Sequence, residues 1–208
     1  MWNDIWQIFL NDGISLMIEH LQLVALAVST ALLIAVPSGI LLSRDIMKKY
    51  SGKIMAIFNI AQGLPSLAII AIFIPLLGIG FVPAVTALTI YALLPIVRNT
   101  LAGLNNVEDE IIEAARGMGM TPFQVLYKVE LPLALPFIIA GIQTASVITV
   151  GTAVISNLIG AGGLGELIFT GLVRFDTKKI LLGSGLSALI AVGIDNLFQL
   201  LEFKLQEY

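Results

Sequence analysis

The stretch EAARGMGMTPFQVLYKVELP, from Glu113 to Pro132, is a polar and charged segment inside a chain that is otherwise very hydrophobic. Of the 208 residues, 58% are hydrophobic and only 12% are charged, and the mean hydropathy is +0.98. Soluble domains carry about 25% charged residues, so this composition is typical of an integral membrane protein. Such a polar segment has to lie outside the hydrocarbon core, and its pattern is the best guide to what the chain does.

The residue composition excludes several classes of function. The net charge of −3 gives no basic surface for nucleic acid, so no nucleic-acid partner is expected. The chain has no cysteine and one histidine, His20, which we expect on the outer side, so no thiolate or multi-histidine metal site is predicted. No catalytic residues emerge, and the chain is not expected to be an enzyme.

Uncharged runs predict an all-α membrane protein with five spans in one domain, residues 1–208. Each run is long enough to cross about 30 Å of hydrocarbon at about 1.5 Å per residue. The run from Ile54 to Val97 is too long for one helix, and we expect it to turn at Gly78–Pro83. The predicted spans are residues 21–43, 54–77, 81–97, 132–156 and 180–201, with a polar loop over residues 99–130.

The distribution of Lys and Arg predicts the orientation. An N-out, C-in arrangement places eight basic residues inside and three outside, which agrees with the positive-inside rule. The inner residues are Arg44, Lys48, Lys49, Lys53, Arg98, Arg116, Lys128 and Lys204, and the outer ones are Arg174, Lys178 and Lys179. The polar loop is therefore predicted to be cytoplasmic.

Polar side chains within two of the predicted spans are candidates for lining a pathway. Polar groups at membrane depth avoid lipid and face either other helices or a wet cavity, so helix packing is the alternative role for each. The candidates are Asn59, Gln62 and Ser66 in the second span and Gln143, Ser146, Thr149 and Asn157 at the fourth. Asp195 is an intramembrane acid in the last span, and its alternative role is a structural partner of a Lys, an Arg or the backbone.

The polar loop has the pattern of two short helices joined by a turn. Asn106 is a candidate N-cap for the first helix, in which Val107, Ile111, Ala115 and Met118 fall on one stripe. Thr121 is the expected N-cap of the second helix, with Pro122 in the first turn and Gln124 completing a capping box. The loop is therefore expected to be rigid, with an apolar face that includes Phe123.

Three interpretations of this helix–turn–helix compete. Binding to DNA is excluded by charge, because the segment from Glu108 to Glu130 holds five acids against two bases, Arg116 and Lys128. A plain structured loop and a docking element for a soluble partner both remain open.

The spacing of the segment resembles the cytoplasmic signature of ABC importer permeases, which is E-A-A, three residues, G, nine residues, I-x-L-P. The matching positions are Glu113, Ala114, Ala115, Gly119, Val129 in place of Ile, Leu131 and Pro132. The five-span layout is also similar to the small permeases of the methionine-importer type. The resemblance covers residues 18–205 or so and implies a bacterial plasma-membrane protein.

This resemblance also implies a mechanism and a set of partners. The loop would be a coupling helix that docks in a groove of a separate ATPase subunit, which holds ATP and magnesium, so no cofactor is expected on this chain. The residues that would shape or form the docking face are Glu113, Ala114, Ala115, Gly119, Met120, Thr121, Pro122, Phe123 and Gln124. A second permease copy or a paralogue and an extracellular substrate-binding protein complete the implied assembly.

Three further stretches of sequence indicate a branch of that family. The stretches at 61–80, 94–104 and 155–172 resemble the osmoprotectant branch, which imports glycine betaine, carnitine or choline. The alternatives are an amino acid or betaine-like thiol cargo, or a channel or scaffold of another class. The sequence GAGGLG, Gly160–Gly165, matches a dinucleotide-binding pattern literally, but it follows a membrane span and no strand, so we expect a bend at the outer mouth instead.

Overall fold

A computed structural model describes residues 2–206 of the chain, and these residues are almost entirely helical. The helices are α1 (Trp2–Ile8), α2 (Ile14–Ser43), α3 (Asp45–Gly63), α4 (Ser66–Leu77), α5 (Phe81–Asn105), α6 (Asp109–Gly117), α7 (Pro122–Val125), α8 (Leu131–Ala153), α9 (Gly165–Arg174) and α10 (Thr177–Gln206). No strand occurs within residues 2–206, so the all-α prediction is confirmed. Met1 and residues 207–208 of the predicted domain lie outside the described residues.

Four stretches of helix are long and apolar enough to cross a membrane, and a bent pair makes a fifth. The four are Asn3–Ser43, Phe81–Asn105, Pro122–Ala153 and Thr177–Phe203. Several helices extend further than the uncharged runs indicated. A charged residue does not interrupt the backbone hydrogen bonds of a helix, so the end of an uncharged run need not be the end of the helix. Thus α5 runs to Asn105 instead of ending near residue 97, and Arg98 lies inside it.

The bent pair replaces the continuous second span expected over residues 54–77. Helices α3 and α4 meet at an angle of 95°. Leu64, which precedes Pro65, is extended with a ψ of 142°, as the residue before a proline tends to be. Helix α3 also begins at Asp45, so Lys48, Lys49 and Lys53 are helical and do not lie in a loop.

The core is formed by α2, α5 and α8, which pack against one another through small residues. Ala27, Ala31 and Ala35 form a stripe along α2 that is completely buried. At Gly39 the backbones are so close that an added Cβ would lie 2.7 Å from the Thr100 side chain. In a bilayer, close helix approach through small side chains is a main source of association, so this interface holds the bundle together.

The glycine-rich stretch after α8 forms the expected bend and is tied back to α2. A short 3-10 turn, Ile155–Ile159, leads into Gly160, which is left-handed. The Gly163 N–H donates to Glu19 Oε2 at 3.0 Å. The neighbouring His20 is fully buried in the fold, where its Nε2 lies 3.1 Å from the Val150 carbonyl oxygen.

Candidate functional site

The polar segment, defined here as residues 106–130, runs from the end of α5 to the start of α8. It is shorter than the loop of residues 99–130 expected from the sequence, because residues 99–105 belong to α5. A π-helical turn, Leu126–Glu130, joins α7 to α8 without a break. The second half of the segment is therefore a direct extension of α8, so we expect a movement of α7 to be transmitted to α8.

The first helix of the segment, α6, differs in detail from the expectation. Its N-cap is Glu108, which makes no side-chain capping bond, so the prediction of an Asn106 cap is wrong. Asp109 and Glu110 occupy the first turn, where carboxylates interact well with the helix dipole. Of the predicted stripe, Val107 and Ala115 are buried, whereas Ile111 and Met118 are exposed. Half of that stripe is thus free to contact something outside the chain.

The turn between α6 and α7 explains part of the E-A-A…G pattern. Gly119 has a φ of +82°, in the left-handed region that side chains disfavour, and its N–H donates to the Arg116 carbonyl. The Met120 N–H then donates to the carbonyl of Ala115 at 3.2 Å. Both bonds satisfy carbonyls at the end of α6. The buried Ala115 and the left-handed Gly119 therefore fix the direction in which α7 leaves.

The capping box predicted for α7 is confirmed. The Gln124 N–H donates to Thr121 Oγ1, and the Thr121 N–H donates to Gln124 Oε1 at 2.8 Å, with Pro122 in the first turn. A helix of only 4 residues is marginal alone, so these two bonds and the continuation into α8 define it.

The three most exposed large apolar side chains of the segment project into open space. Met118 is 72% exposed, Phe123 is 74% exposed and Tyr127 is 66% exposed. The rings of Phe123 and Tyr127 are stacked, with centroids 6.3 Å apart and planes 4° apart. The remaining predicted docking residues, Glu113, Ala114, Gly119, Thr121, Pro122 and Gln124, are exposed, and Met120 is half-buried. A cluster of exposed apolar residues with a polar rim is typical of a protein interaction site.

A salt bridge that the sequence analysis did not anticipate anchors the end of the segment. Both guanidinium nitrogens Nη1 and Nη2 of Arg44 donate to the carboxylate of Glu130, one of them at 3.1 Å to Oε1. Arg44 lies at the junction of α2 and α3, and Glu130 is only 5% exposed. Bidentate pairs of this kind fix orientation as well as distance. The sequence gives no local pattern that predicts this pair, because the two residues are 86 positions apart.

A groove of about 940 Å³ lies between this junction and the polar segment. It is lined by charged residues of both signs, which include Arg44, Lys48, Glu113, Arg116 and Glu130. Its mixed charge suits a water-filled groove at the membrane surface better than an apolar ligand site.

The predicted pathway residues do not converge on one place. Asn59, Gln62 and Ser66 flank the α3–α4 bend and are exposed or half-buried. Arg98 Nη2 donates to Asn59 Oδ1 at 2.7 Å, and the Tyr91 hydroxyl donates to the Leu64 carbonyl at the bend.

The candidates on and after α8 separate into three environments. Ser146 and Thr149 are buried and donate to the carbonyls of Ile142 and Ala145 in their own helix, so they pack within the core. Gln143 Nε2 donates to Asp195 Oδ1 at 2.7 Å, which ties α8 to α10. Asn157 is half-buried in the 3-10 turn near the glycine-rich bend.

Asp195 has amide partners. Besides Gln143, the side chain of Gln199 donates to Asp195 Oδ2 at 2.8 Å. The ion pairs among the described residues do not include this carboxylate, and its two amide bonds give it a structural role between α8 and α10. Within the same residues, no group of three acidic or histidine side chains is arranged to hold a metal ion.

The long apolar helices and the rigid polar segment together define a polytopic membrane protein with a structured element outside the bilayer. The family described as "Binding-protein-dependent transport system inner membrane component" matches residues 35–207, and the chain belongs to this family. It is therefore a multi-pass inner-membrane transport subunit and not an enzyme, as predicted.

The chain is similar to individual known proteins along most of its length. It is 46% identical over 187 residues to the choline transport system permease protein OpuBB of Bacillus subtilis, covering 90% of this chain and 85% of that protein. It is 44% identical over 186 residues to the glycine betaine/carnitine/choline transport system permease protein OpuCB of the same organism, covering 89% and 85%. A chain of the MetNI methionine ABC transporter, in an inward facing conformation, matches with a TM-score of 0.84 and 25% identity over 94% of this chain and 98% of that one. The resemblance to ABC importer permeases is thus confirmed.

Proposed function

We propose that this chain is the permease subunit of an ATP-driven ABC importer that moves glycine betaine, carnitine or choline inward by alternating access. The observation that carries the choice of substrate is the similarity to permeases named for these compounds along most of the chain. The similarity to the methionine transporter favours an amino acid as the second candidate. For all these substrates, the proposal places the energy supply on a separate ATPase subunit, as the resemblance to ABC importer permeases implies.

The polar segment is proposed as the coupling element. Its capped helix, its bidentate anchor to Arg44 and its continuity with α8 make it stiff enough to transmit a rigid-body movement. The exposed Phe123 and Tyr127 would fill a groove on the ATPase, and Glu113 with Ala114 would lie at its edge. Nucleotide-driven closure of the ATPases would then pull on α8 directly and on α2 through Glu130.

The assembly proposed around this chain has three further kinds of component. Two ATPase subunits hold ATP and magnesium on the inner side, and an extracellular binding protein delivers the substrate near the glycine-rich bend. A second permease copy or a paralogue completes the pathway, since five spans form half of one at most. The alternation is biased because ATP binds the closed state of the ATPases more tightly than the open state.

Reconstituted uptake tests the proposal. Proteoliposomes holding the chain with its co-purifying ATPase and binding protein would be assayed for ATP-dependent uptake of labelled glycine betaine, carnitine and choline. We expect saturable uptake of at least one compound, and we expect Glu113→Lys to abolish it and to weaken ATPase co-purification. Glu110→Lys is the matched control, because this acid is exposed on the same helix, α6, and is not one of the predicted docking residues.

The outcomes separate the parts of the proposal. ATP turnover without uptake of any of the three compounds would support the role as an ABC importer subunit and reject the proposed substrates. Uptake of an amino acid would instead support the second candidate substrate. Failure of any ATPase to co-purify with the wild-type chain would reject the coupling role. Equal effects of the two charge reversals would show that Glu113 has no special part in docking.

A further inference from the structure

Arg98 is a charged side chain inside a membrane helix. It lies seven residues before the end of α5, which at about 1.5 Å per residue places it about 10 Å into the helix. Its side chain is exposed in the protomer, and the ion pairs among the described residues, Arg44–Glu130 and Lys178–Asp4, do not include it. Arg98 therefore lies in the inner part of a membrane-crossing helix, where a charge in contact with lipid is costly, so it has to face water or protein. Charged residues within membrane-crossing helices often mark transport pathways.

The surroundings of Arg98 belong to the bend between α3 and α4. Asn59, which accepts a hydrogen bond from Arg98, lies on α3 shortly before the bend. Tyr91, two turns away on the same face of α5, donates its hydroxyl to the Leu64 carbonyl within the bend. The face of α5 that carries Tyr91 and Arg98 therefore follows the broken helix along its length.

The bend itself is open. Leu64 and Pro65 are exposed, and a Cβ added at Gly63 would find no atom within 4 Å. Non-helical backbone at membrane depth is tolerated where protein covers it or where it lines a water-filled cavity. Broken helices of this kind surround the substrate in other transporter folds, so the open side of this bend is the natural place for a permeant.

The chemistry of Arg98 selects the permeant group. A guanidinium has five N–H donors, and the bond to Asn59 uses one of the two Nη2 hydrogens, so one of its two bidentate donor edges stays available. Two parallel donors match a carboxylate, whereas a trimethylammonium group near the same charge is repelled. Asn59 is neutral, so it orients the guanidinium without cancelling its charge.

We infer that Arg98, held by Asn59, forms a carboxylate-binding site in the translocation pathway. The site serves zwitterionic permeants such as glycine betaine and carnitine and gives no help to choline, which has a hydroxyl instead of a carboxylate. As a statement about cargo, this inference rests on the proposed function, and it assigns Arg98 a part in selectivity after the binding protein has released its substrate.

Uptake by variants of the assembled complex tests the selectivity. Arg98→Gln is expected to lower glycine betaine uptake about tenfold or more, which is the usual size of one charged hydrogen bond, and to leave choline uptake unchanged or raised. Arg98→Lys retains the charge and is expected to keep part of the preference. Lys53→Gln, which removes an exposed cation elsewhere on α3, is the control and should change neither rate. An equal loss for both compounds, or no loss for either, would overturn the inference.

A second measurement does not depend on the cargo. The chain has no cysteine, so Gly63→Cys provides its only thiol at the open bend, one helical turn after Asn59, and leaves the bond between Arg98 and Asn59 in place. In the assembled complex, we expect this thiol to react faster with anionic sulfonatoethyl methanethiosulfonate than with its cationic trimethylammonioethyl analogue. Adding Arg98→Gln should lower the ratio of the two rates about fivefold or more. Reaction with neither reagent, or a ratio that Arg98→Gln leaves unchanged, would refute an anion site, even if the proposed substrates prove wrong.

Discussion

Glu130 is a buried carboxylate whose partner lies on a different membrane helix. Removing the arginine leaves a charge in a site that is only 5% exposed, and this usually costs about 3–5 kcal/mol when both partners are buried. Because the Arg44 side chain is 37% exposed, we expect Arg44→Ala to cost about 2 kcal/mol. The measurement is thermal unfolding of the purified complex in detergent.

The same pair provides a test of coupling. Arg44→Glu and Glu130→Arg are each expected to reduce transport for each ATP hydrolysed, because each places two like charges together. The double swap should recover a substantial part of it, as a double-mutant cycle for a direct contact requires. If the swap is as defective as the single variants, the salt bridge does not link α2 to the polar segment during the cycle.

Gly119 owes its identity to its backbone conformation. No atom lies within 4 Å of a Cβ added there, but the φ of +82° is unfavourable for any side chain. Gly119→Ala is therefore expected to cost about 1–2 kcal/mol and to misdirect α7, whereas Gly119→Asn should be milder. Gly117→Ala is the matched control, since that residue is helical and equally unobstructed, and it should be neutral or slightly stabilising. Thermal unfolding and ATPase co-purification would distinguish the variants.

At the scale of elements, the exposed aromatic pair of the polar segment is the feature most open to testing. Phe123→Ser is expected to weaken ATPase binding about tenfold or more without lowering the unfolding temperature, because a ring that is exposed in the free chain stabilises only the complex. Phe175→Ser removes a ring between α9 and α10 that is more exposed still, and it should leave ATPase binding intact. Equal loss in both variants would argue against a specific docking surface.

The accuracy of the sequence-based expectations depends on how local each feature is. The capping box at Thr121 was predictable because all of its bonds lie within 4 residues. The 95° bend was not, because hydropathy reports burial in lipid and not the direction of a helix. The predicted third span ends at residue 97 because Arg98 ends the uncharged run, whereas α5 continues to Asn105.

Long-range contacts were beyond sequence reasoning. Arg44 and Glu130 are 86 positions apart, and Gln143 and Asp195 are 52 positions apart. The sequence around each residue does not indicate which distant residue it bonds to. For Ser146 and Thr149, bonds within their own helix favour the alternative role of helix packing over a place in the pathway.

For the molecule as a whole, the orientation N-out, C-in stays a prediction that single cysteines can test. In intact cells, Lys178→Cys at the start of α10 should react with a membrane-impermeant maleimide. Met118→Cys on the polar segment should react only after the membrane is permeabilised. The opposite pattern would invert the topology and would remove the polar segment from the reach of any cytoplasmic ATPase.

The contact between Glu19 and Gly163 bears on how the chain enters the membrane. The two residues are 144 positions apart, and His20 likewise finds the Val150 carbonyl 130 positions later. At about 5–20 residues per second, a ribosome needs roughly 7–30 seconds to supply these partners. During that interval the first long helix carries an acid and an imidazole without their final bonds. Because both residues lie at the predicted outer end of this helix, we expect water at that surface to hydrate them until α8 and the glycine-rich bend are made.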